Sequence, residues 1–150
     1  MSCSRMVRPG GLLLAIERRI GNGPKDWLFH LPLASSVATM RIGLVCPYSL
    51  TVPGGVQGQV LGLARELRTR GHFTRVLGPC DGPPPDAGVT PLGDSLPTTA
   101  NGSVAPIAPD VSCVLRTIRV LRDEEFDILH LHEPLAPGPT VTALFLAHTP

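Results

Sequence analysis

Two adjacent glycines stand between an apolar segment and a helix-like pattern, and this arrangement suits the binding of an anion. Gly54 and Gly55 follow "CPYSLTVP" and directly precede "VQGQVLGLARELRTR". Because glycine carries no Cβ, the backbone can come close to a ligand at this point. The free N–H groups of the first helical turn, with the helix dipole behind them, favour a phosphate or a similar anion. A glycine pair that only forms a tight turn would look the same, so both interpretations stay open.

Two histidines form the second candidate group. His130 and His132 lie in "DILHLHEP", where Glu133 and Pro134 turn the chain at the end of a predicted strand. Residues two apart on a strand share a face. The pair could chelate a metal, but no third ligand stands at a recognisable spacing, and we expect no metal site. His130 fits a half-buried structural histidine, whereas His132, at the very edge, is better placed to meet a ligand hydroxyl or anion.

The pattern around these motifs predicts an α/β domain. We predict strands at 41–46, 73–77 and 127–132, helices at 56–70, 111–122 and 138–147, and short strands at 89–92 and 103–108. The apolar runs suit strands that are covered on both faces, and strand–helix–strand units favour parallel pairing. The fold class is therefore α/β with a doubly wound parallel sheet, and such sheets bind ligands at the carboxyl ends of their strands.

The first two helices are predicted from their apolar stripes. The stripe of the first helix consists of Val56, Val60, Leu63, Ala64 and Leu67, with Gly71 as a C-terminal cap. The expected inward face of the second consists of Val111, Val114, Leu115, Ile118 and Leu121, with Arg116, Arg119 and Arg122 outward. Nothing in these two patterns predicts a basic helix that lies in a membrane surface.

The glycines do not fit a dinucleotide-binding fingerprint. Gly54, Gly55 and Gly58 depart from the G-x-G-x-x-G spacing. Asp81 is the only acid near the end of the second strand that could hold a ribose, and it lies beyond a glycine and a proline. Nicotinamide binding is disfavoured.

Composition narrows the class of protein. The chain has 150 residues, 43% of them hydrophobic, and a net charge of +1, which suits one globular core and gives no sign of nucleic-acid binding. The four cysteines are far apart, so we expect reduced thiols in a cytosolic protein. No run approaches the ~18 apolar residues of a membrane span. The pattern changes at Met40, so we predict an N-terminal extension over 1–39, from an upstream start codon, and a domain over 40–150; a loosely attached native segment is the alternative.

Three segments in the same order resemble the N-terminal half of family-four glycosyltransferases, most of all the phosphatidylinositol alpha-mannosyltransferases of actinobacteria. They are "MRIGLVCPYSLTVPGGVQGQVLGLARELRTRGH", "NGSVA" and "DILHLHEPLAPG". The resemblance implies a GT-B architecture, in which two Rossmann-like domains face each other across a cleft. The N-terminal domain mainly binds the acceptor, and the C-terminal domain holds most of the nucleotide sugar.

The resemblance also implies roles for single residues. Gly54 and Gly55 would bind the donor diphosphate and sugar through their N–H groups, and His132 would bond a hydroxyl at the reacting centre. Tyr48, Gln57 and, in "NGSVA", Asn101 would lie on the acceptor side. One departure is Thr51, since some of the resembled enzymes carry an acid just before "VPGGVQ".

The function implied is retaining transfer of a sugar, with mannose expected, from a nucleotide-sugar donor such as GDP-mannose to a phosphatidylinositol-like or other lipid or polyol acceptor. No cofactor and no nucleic acid are expected. We expect a cytoplasmic location with peripheral contact at the inner face of the plasma membrane. We also expect a truncated N-terminal domain that is inactive without its C-terminal partner domain. The alternative is a non-catalytic Rossmann-like module that binds a phosphorylated ligand.

Overall fold

The structure is a computed structural model that describes residues 38–100 and 103–147. The predicted extension over 1–39 therefore lies almost wholly outside the described residues, and Asn101 lies outside them too. Both stay predictions. No helix in the described part of the chain is long and apolar enough to cross a bilayer.

Strands and helices alternate along most of the described chain. In chain order they are β1 (Arg41–Val45), α1 (Gly55–Thr69), β2 (Phe73–Gly78), β3 (Val89–Pro91), β4 (Leu96–Ala100), β5 (Ser103–Ile107), α2 (Val111–Asp123), β6 (Ile128–Leu131) and α3 (Pro139–Leu146). Every element that we predicted is confirmed to within one residue at each end. The strand β4 was not predicted.

Four strands form the main sheet, in the order β3-β2-β1-β6, and all neighbours are parallel. Leu44 of β1 lies opposite Val76 of β2 on one side and opposite His130 of β6 on the other. The chain moves outward from β1 to β3 and then returns to the other side of β1 for β6. A topological switch point therefore lies between β1 and β6, where such sheets bind ligands.

Helices cover both faces of this sheet. Leu44 packs in a core with Val60 and Ala64 of α1, whereas the next residue, Val45, packs in a second core with Cys113 of α2 and Ala143 of α3. Successive residues of a strand point to opposite faces, so one run of apolar residues supplies both cores. The predicted doubly wound α/β fold is confirmed.

The apolar stripe of α1 is confirmed. Val60 and Ala64 are fully buried, and Val56, Leu63 and Leu67 pack partly buried against the same core. Gly71 has a positive φ of 88°, and its N–H donates to the carbonyl of Arg68. This left-handed conformation is the one that glycine adopts most easily after a helix, as predicted.

The predicted inward face of α2 is wrong in part. Val111 and Leu115 are 73% and 61% exposed, and the buried residues are Cys113 and Thr117. The hydroxyl of Thr117 donates to the carbonyl of Cys113, which removes the penalty for burying it. The helix is therefore rotated relative to our prediction, although Arg116, Arg119 and Arg122 are exposed as expected.

The strand β4 pairs with β5 in an antiparallel hairpin that the sequence did not reveal. Pro97 and Pro106 lie opposite each other in this hairpin, and both lack an N–H donor. The hairpin docks on the loop after β1, since Ser49 donates its N–H to the carbonyl of Pro106 and Tyr48 forms a bridge with Ile107.

The strand β6 was expected to be buried on both faces, and this is wrong in part. Ile128 is 37% exposed and His130 is exposed, rather than half-buried as we expected. Within the described residues β6 pairs with β1 alone, so it is an edge strand there.

Arg68 joins α1 to β2 and to the segment before β3. Its guanidinium donates to the carbonyl of Thr74 in β2, to the carbonyl of Gly88 just before β3, and to the carboxylate of Asp86. We expect Arg68→Ala to lower the free energy of unfolding by about 1–3 kcal/mol, because partly buried carbonyl groups lose their donors. Urea unfolding followed by circular dichroism measures this.

Arg65→Ala is the matched control, since it removes the same charge from an exposed position of the same helix. A change within about 0.5 kcal/mol is expected there. Equal losses in the two variants would mean that the contacts of Arg68 are not what stabilises the domain.

Candidate functional site

The candidate site lies where β1 and β6 end side by side. Beyond β6, the N–H of His132 donates to the carbonyl of Val45, and beyond β1, the N–H of Cys46 donates to the carbonyl of Leu77. The ladder therefore continues past both strands before the chains separate. The segment from Tyr48 to Gly55 and the segment that begins at His132 leave the sheet from neighbouring positions at the switch point.

Gly54 and Gly55 differ in what the fold requires of them. Gly54 is the N-cap of α1 in an extended conformation, and a Cβ there would lie 2.3 Å from Oε1 of Gln57. A Cβ on Gly55, the first helical residue, would meet nothing within 4 Å. A side chain at position 54 would therefore meet Gln57, whereas one at position 55 would point into open space. The N–H groups of the first helical turn have no partner within the helix.

Gln57 is buried beneath this loop. Its side-chain amide donates to the carbonyl of Ser49 at 3.4 Å. Gln57, which was predicted to contact the sugar acceptor, therefore stabilises the loop through this hydrogen bond. Contact between Gln57 and an acceptor stays a prediction.

Tyr48 connects the two halves of the site. Its phenol O–H donates to the carboxylate of Glu133, the residue that follows His132. The rings of His130 and His132 lie with their centroids 4.5 Å apart. Nε2 of His132 is buried and has no hydrogen-bond partner among the described residues. The structure thus brings Tyr48 and His132, which are far apart in the sequence, into one site.

The electrostatics of the site keep His132 neutral. Burial, followed by the neighbouring His130, lowers the pKa of His132 below its usual value of 6.5, although Glu133 acts in the opposite direction. The hydrogen bond to Glu133, and then burial, raises the pKa of Tyr48 to about 12. At neutral pH the site therefore offers a neutral imidazole and a protonated phenol beside one carboxylate.

Thr51 belongs to a polar cluster at the same edge of the sheet. Its hydroxyl accepts the N–H of Asp81 at 3.0 Å and lies 3.0 Å from the hydroxyl of Ser49. The carboxylate of Asp81 accepts the N–H and the O–H of Ser95. Burial opposes ionisation, but hydrogen bonds from Ser49 and Ser95 outweigh it and lower the pKa of Asp81. The carboxylate near Thr51 thus comes from the loop after β2.

The sequence model of Glycosyltransferase Family 4 matches residues 53–150, which is more than half of the chain. The chain belongs to glycosyltransferase family 4. The matched region contains His132 and both glycines of the glycine loop, by which we mean the segment that leads from β1 to Gly54 and Gly55. Tyr48 lies just before the matched region.

Curated relatives of this family-4 chain carry one name. The chain is 46% identical over 115 residues to the phosphatidyl-myo-inositol mannosyltransferase of Mycobacterium leprae. The aligned region covers 74% of this chain and 30% of that protein. The identity to the protein of the same name from Mycobacterium tuberculosis strain H37Rv is 45%, with the same coverage. It is 41% for the one from Propionibacterium freudenreichii, over 74% of this chain and 31% of that protein. The chain thus spans less than a third of the length of these relatives.

The hydrogen bond between Tyr48 and Glu133 was not predicted from the sequence. Glu133 was placed in the turn after His132 and given no function. The only local signal is its position beside a candidate histidine at the end of a strand. Its partner Tyr48 is 85 residues away, so the pair becomes visible only in the fold.

Proposed function

We propose that the chain is the acceptor-side part of a retaining glycosyltransferase that moves a sugar from a nucleotide-sugar donor to a lipid or polyol acceptor. Mannose from GDP-mannose and a phosphatidylinositol-like acceptor are the substrates proposed, by analogy with the named relatives. The observation that carries the proposal is the switch point between β1 and β6, since it brings the glycine loop and His132 to one edge of the sheet.

The chemistry of the transfer matches these groups. The leaving group is a nucleoside diphosphate, so negative charge develops on it as the bond to the sugar breaks. The first-turn N–H groups of α1 and the helix dipole would stabilise that charge without a metal ion. A neutral His132 can donate or accept a hydrogen bond, which suits a sugar or acceptor hydroxyl.

A second domain is part of this proposal. The relatives are more than three times as long as the matched region. We propose that a C-terminal domain holds most of the donor, so the 150-residue chain does not transfer sugar alone. With a lipid acceptor, the intact enzyme would work at the cytoplasmic surface of the membrane.

A chimera tests the proposal. The aligned segment of the Mycobacterium leprae protein is replaced by the matching segment of this chain, and transfer of radiolabelled mannose from GDP-mannose to phosphatidylinositol vesicles is measured. We expect transfer by the chimera and by the parent enzyme, and none by the 150-residue chain. A folded chimera without activity would contradict the proposed reaction, and transfer by the chain alone would contradict the need for a second domain.

A non-catalytic module that binds a phosphorylated ligand is the second candidate. The absence of side chains around Gly55 favours it, because a helix N-terminus left uncovered can bind an anion without further catalytic groups. Calorimetry with GDP and the 150-residue chain, beside the chimera assay, separates the two. Tight binding together with an inactive chimera would favour the module.

The two loop glycines allow a matched pair of variants. We expect Gly55→Ala in the chimera to reduce transfer at least tenfold, about 1.4 kcal/mol of transition-state stabilisation, because the methyl group fills space that the diphosphate needs. Its stability should stay equal or rise slightly, since alanine is the better helix former. Initial rates and urea unfolding are measured on the same samples.

Gly54→Ala is the contrasting variant. Its Cβ would collide with the amide of Gln57, so we expect a loss of stability of about 1 kcal/mol together with any loss of rate. Full activity in Gly55→Ala would mean that this glycine only completes the turn.

A further inference from the structure

We propose that Glu133 is a positioning residue that fixes the direction of the hydrogen bond which Tyr48 offers to a substrate. The phenol O–H of Tyr48 donates its hydrogen bond to the carboxylate of Glu133. The phenol oxygen can therefore only accept a hydrogen bond from the ligand. The ligand group that meets Tyr48 is then a hydroxyl donor of a polyol and not a phosphate. This inference rests on the proposed function of the site.

The first support is the place of the pair in the fold. Tyr48 follows β1 and Glu133 follows β6, so their hydrogen bond spans the switch point between the two strands. Elsewhere in the site the two segments are joined by the sheet ladder that ends at His132. The side-chain bond therefore sets the relative position of Tyr48 and His132 beyond the end of the ladder.

The second support is the backbone of Glu133. Its φ is +48°, a left-handed conformation that a non-glycine residue rarely adopts. A turn in which Ala136 donates its N–H to the carbonyl of Glu133 helps to hold this conformation. Backbone strain of this kind persists only where surrounding contacts determine it, and the bond from Tyr48 is the side-chain contact available to do so.

The third support is charge. Glu133 is exposed and carries a negative charge beside the phenol, so a phosphate would be repelled there. A phenol O–H usually both donates and accepts, but a phenol whose proton is committed to a carboxylate has only lone pairs left. A neutral polyol hydroxyl satisfies both conditions, because it can donate to the phenol oxygen and carries no charge.

The test uses the full 150-residue chain, in which Tyr48 is the only tyrosine. Absorbance at the tyrosinate band therefore titrates this phenol alone. We expect the pKa of Tyr48 to be about 12 in the wild type and to fall toward 10 in Glu133→Gln. At pH 11 this is a change from roughly a tenth to roughly nine tenths ionised. Circular dichroism at the same pH confirms that the samples are folded.

Glu125→Gln is the matched control. Glu125 is the other non-glycine residue with a positive φ in the described ranges 38–100 and 103–147, at 46°. Its variant removes the same charge and should leave the Tyr48 titration unchanged. If Glu133→Gln does not fold, Glu133→Asp replaces it, since the shorter side chain withdraws the carboxylate and should also lower the pKa. An unchanged titration in a folded Glu133 variant overturns the proposal.

The ligand part is tested by NMR with two probes, free myo-inositol and inorganic phosphate. We expect myo-inositol to shift the ring signals of Tyr48 in the wild type and to shift them at least threefold less in Glu133→Gln. Phosphate should leave these signals unchanged. A shift with phosphate, or none with myo-inositol at high millimolar concentration, overturns the inferred ligand class. Failure of the proposed function would instead be seen in the chimera assay, which does not depend on these spectra.

Discussion

Gly138→Ala is expected to lower the free energy of unfolding by about 3 kcal/mol or more. Gly138 precedes α3 with φ +113°, which side-chain-bearing residues rarely adopt, and a Cβ there would lie 2.6 Å from the carbonyl oxygen of Ala108. The obstacle is backbone and not a flexible side chain, so the start of α3 must move. Urea unfolding followed by circular dichroism measures the loss.

Gly62→Ala is the control for this prediction. Gly62 lies within α1, and a Cβ there meets nothing within 4 Å. We expect that variant to be neutral or more stable by up to about 1 kcal/mol, from helix propensity. A Gly138→Ala protein as stable as the wild type would mean that the contact between α3 and the segment before α2 relaxes freely.

His132→Ala is expected to reduce sugar transfer by the chimera at least a hundredfold. If His132 bonds a hydroxyl at the reacting centre, its loss removes about 2.7 kcal/mol or more of stabilisation in the transition state. His130→Ala is the control, because His130 lies two residues before His132, with its ring 4.5 Å away, but is exposed. We expect that variant to keep its rate at pH 7.5 within about threefold. Equal losses in both variants would remove the distinction between the two histidines.

The pH dependence of transfer follows from the lowered pKa of His132. Transfer should fall as the pH drops below 6.5 and passes through the folded-state pKa, because protonation removes the acceptor nitrogen. His130→Ala should move this acid limb to higher pH, since His130 helps to lower that pKa. The free energy of unfolding also falls as the pH drops. The unfolded chain binds the proton more readily, so the contribution of His132 to stability is lost as the pH falls from 6.5 toward its folded pKa.

Much of the sheet could be predicted because its strands are continuous apolar runs. β1 supplies both cores, so its sequence carries a strong signal. β4 carries none, because Leu96–Ala100 contains a proline and two threonines, and its partner within the described residues is a nearby strand that also contains proline. The face of α2 was mistaken for a different reason. Thr117 is buried with its hydroxyl satisfied within the helix, and a count of apolar residues cannot reveal this.

In the candidate site, too, some features could be predicted from the sequence and others could not. The glycine pair and His132 are local signals at strand ends, so the sequence indicates them. The difference between Gly54 and Gly55 depends on where the Gln57 side chain lies, and the partnership of Tyr48 with Glu133 depends on β6 lying next to β1. Both are consequences of tertiary structure.

The central place of β1 has a consequence for how the site opens. β1 is hydrogen-bonded on both sides, so its amide protons should exchange with solvent only when the whole domain unfolds. β6 pairs on one side within the described residues, so its amides should exchange by local fraying. The glycine loop is attached to the slow-exchanging strand and His132 to the fast-exchanging one. We therefore expect the segment that carries His132 to open transiently while the loop with Gly54 and Gly55 stays formed.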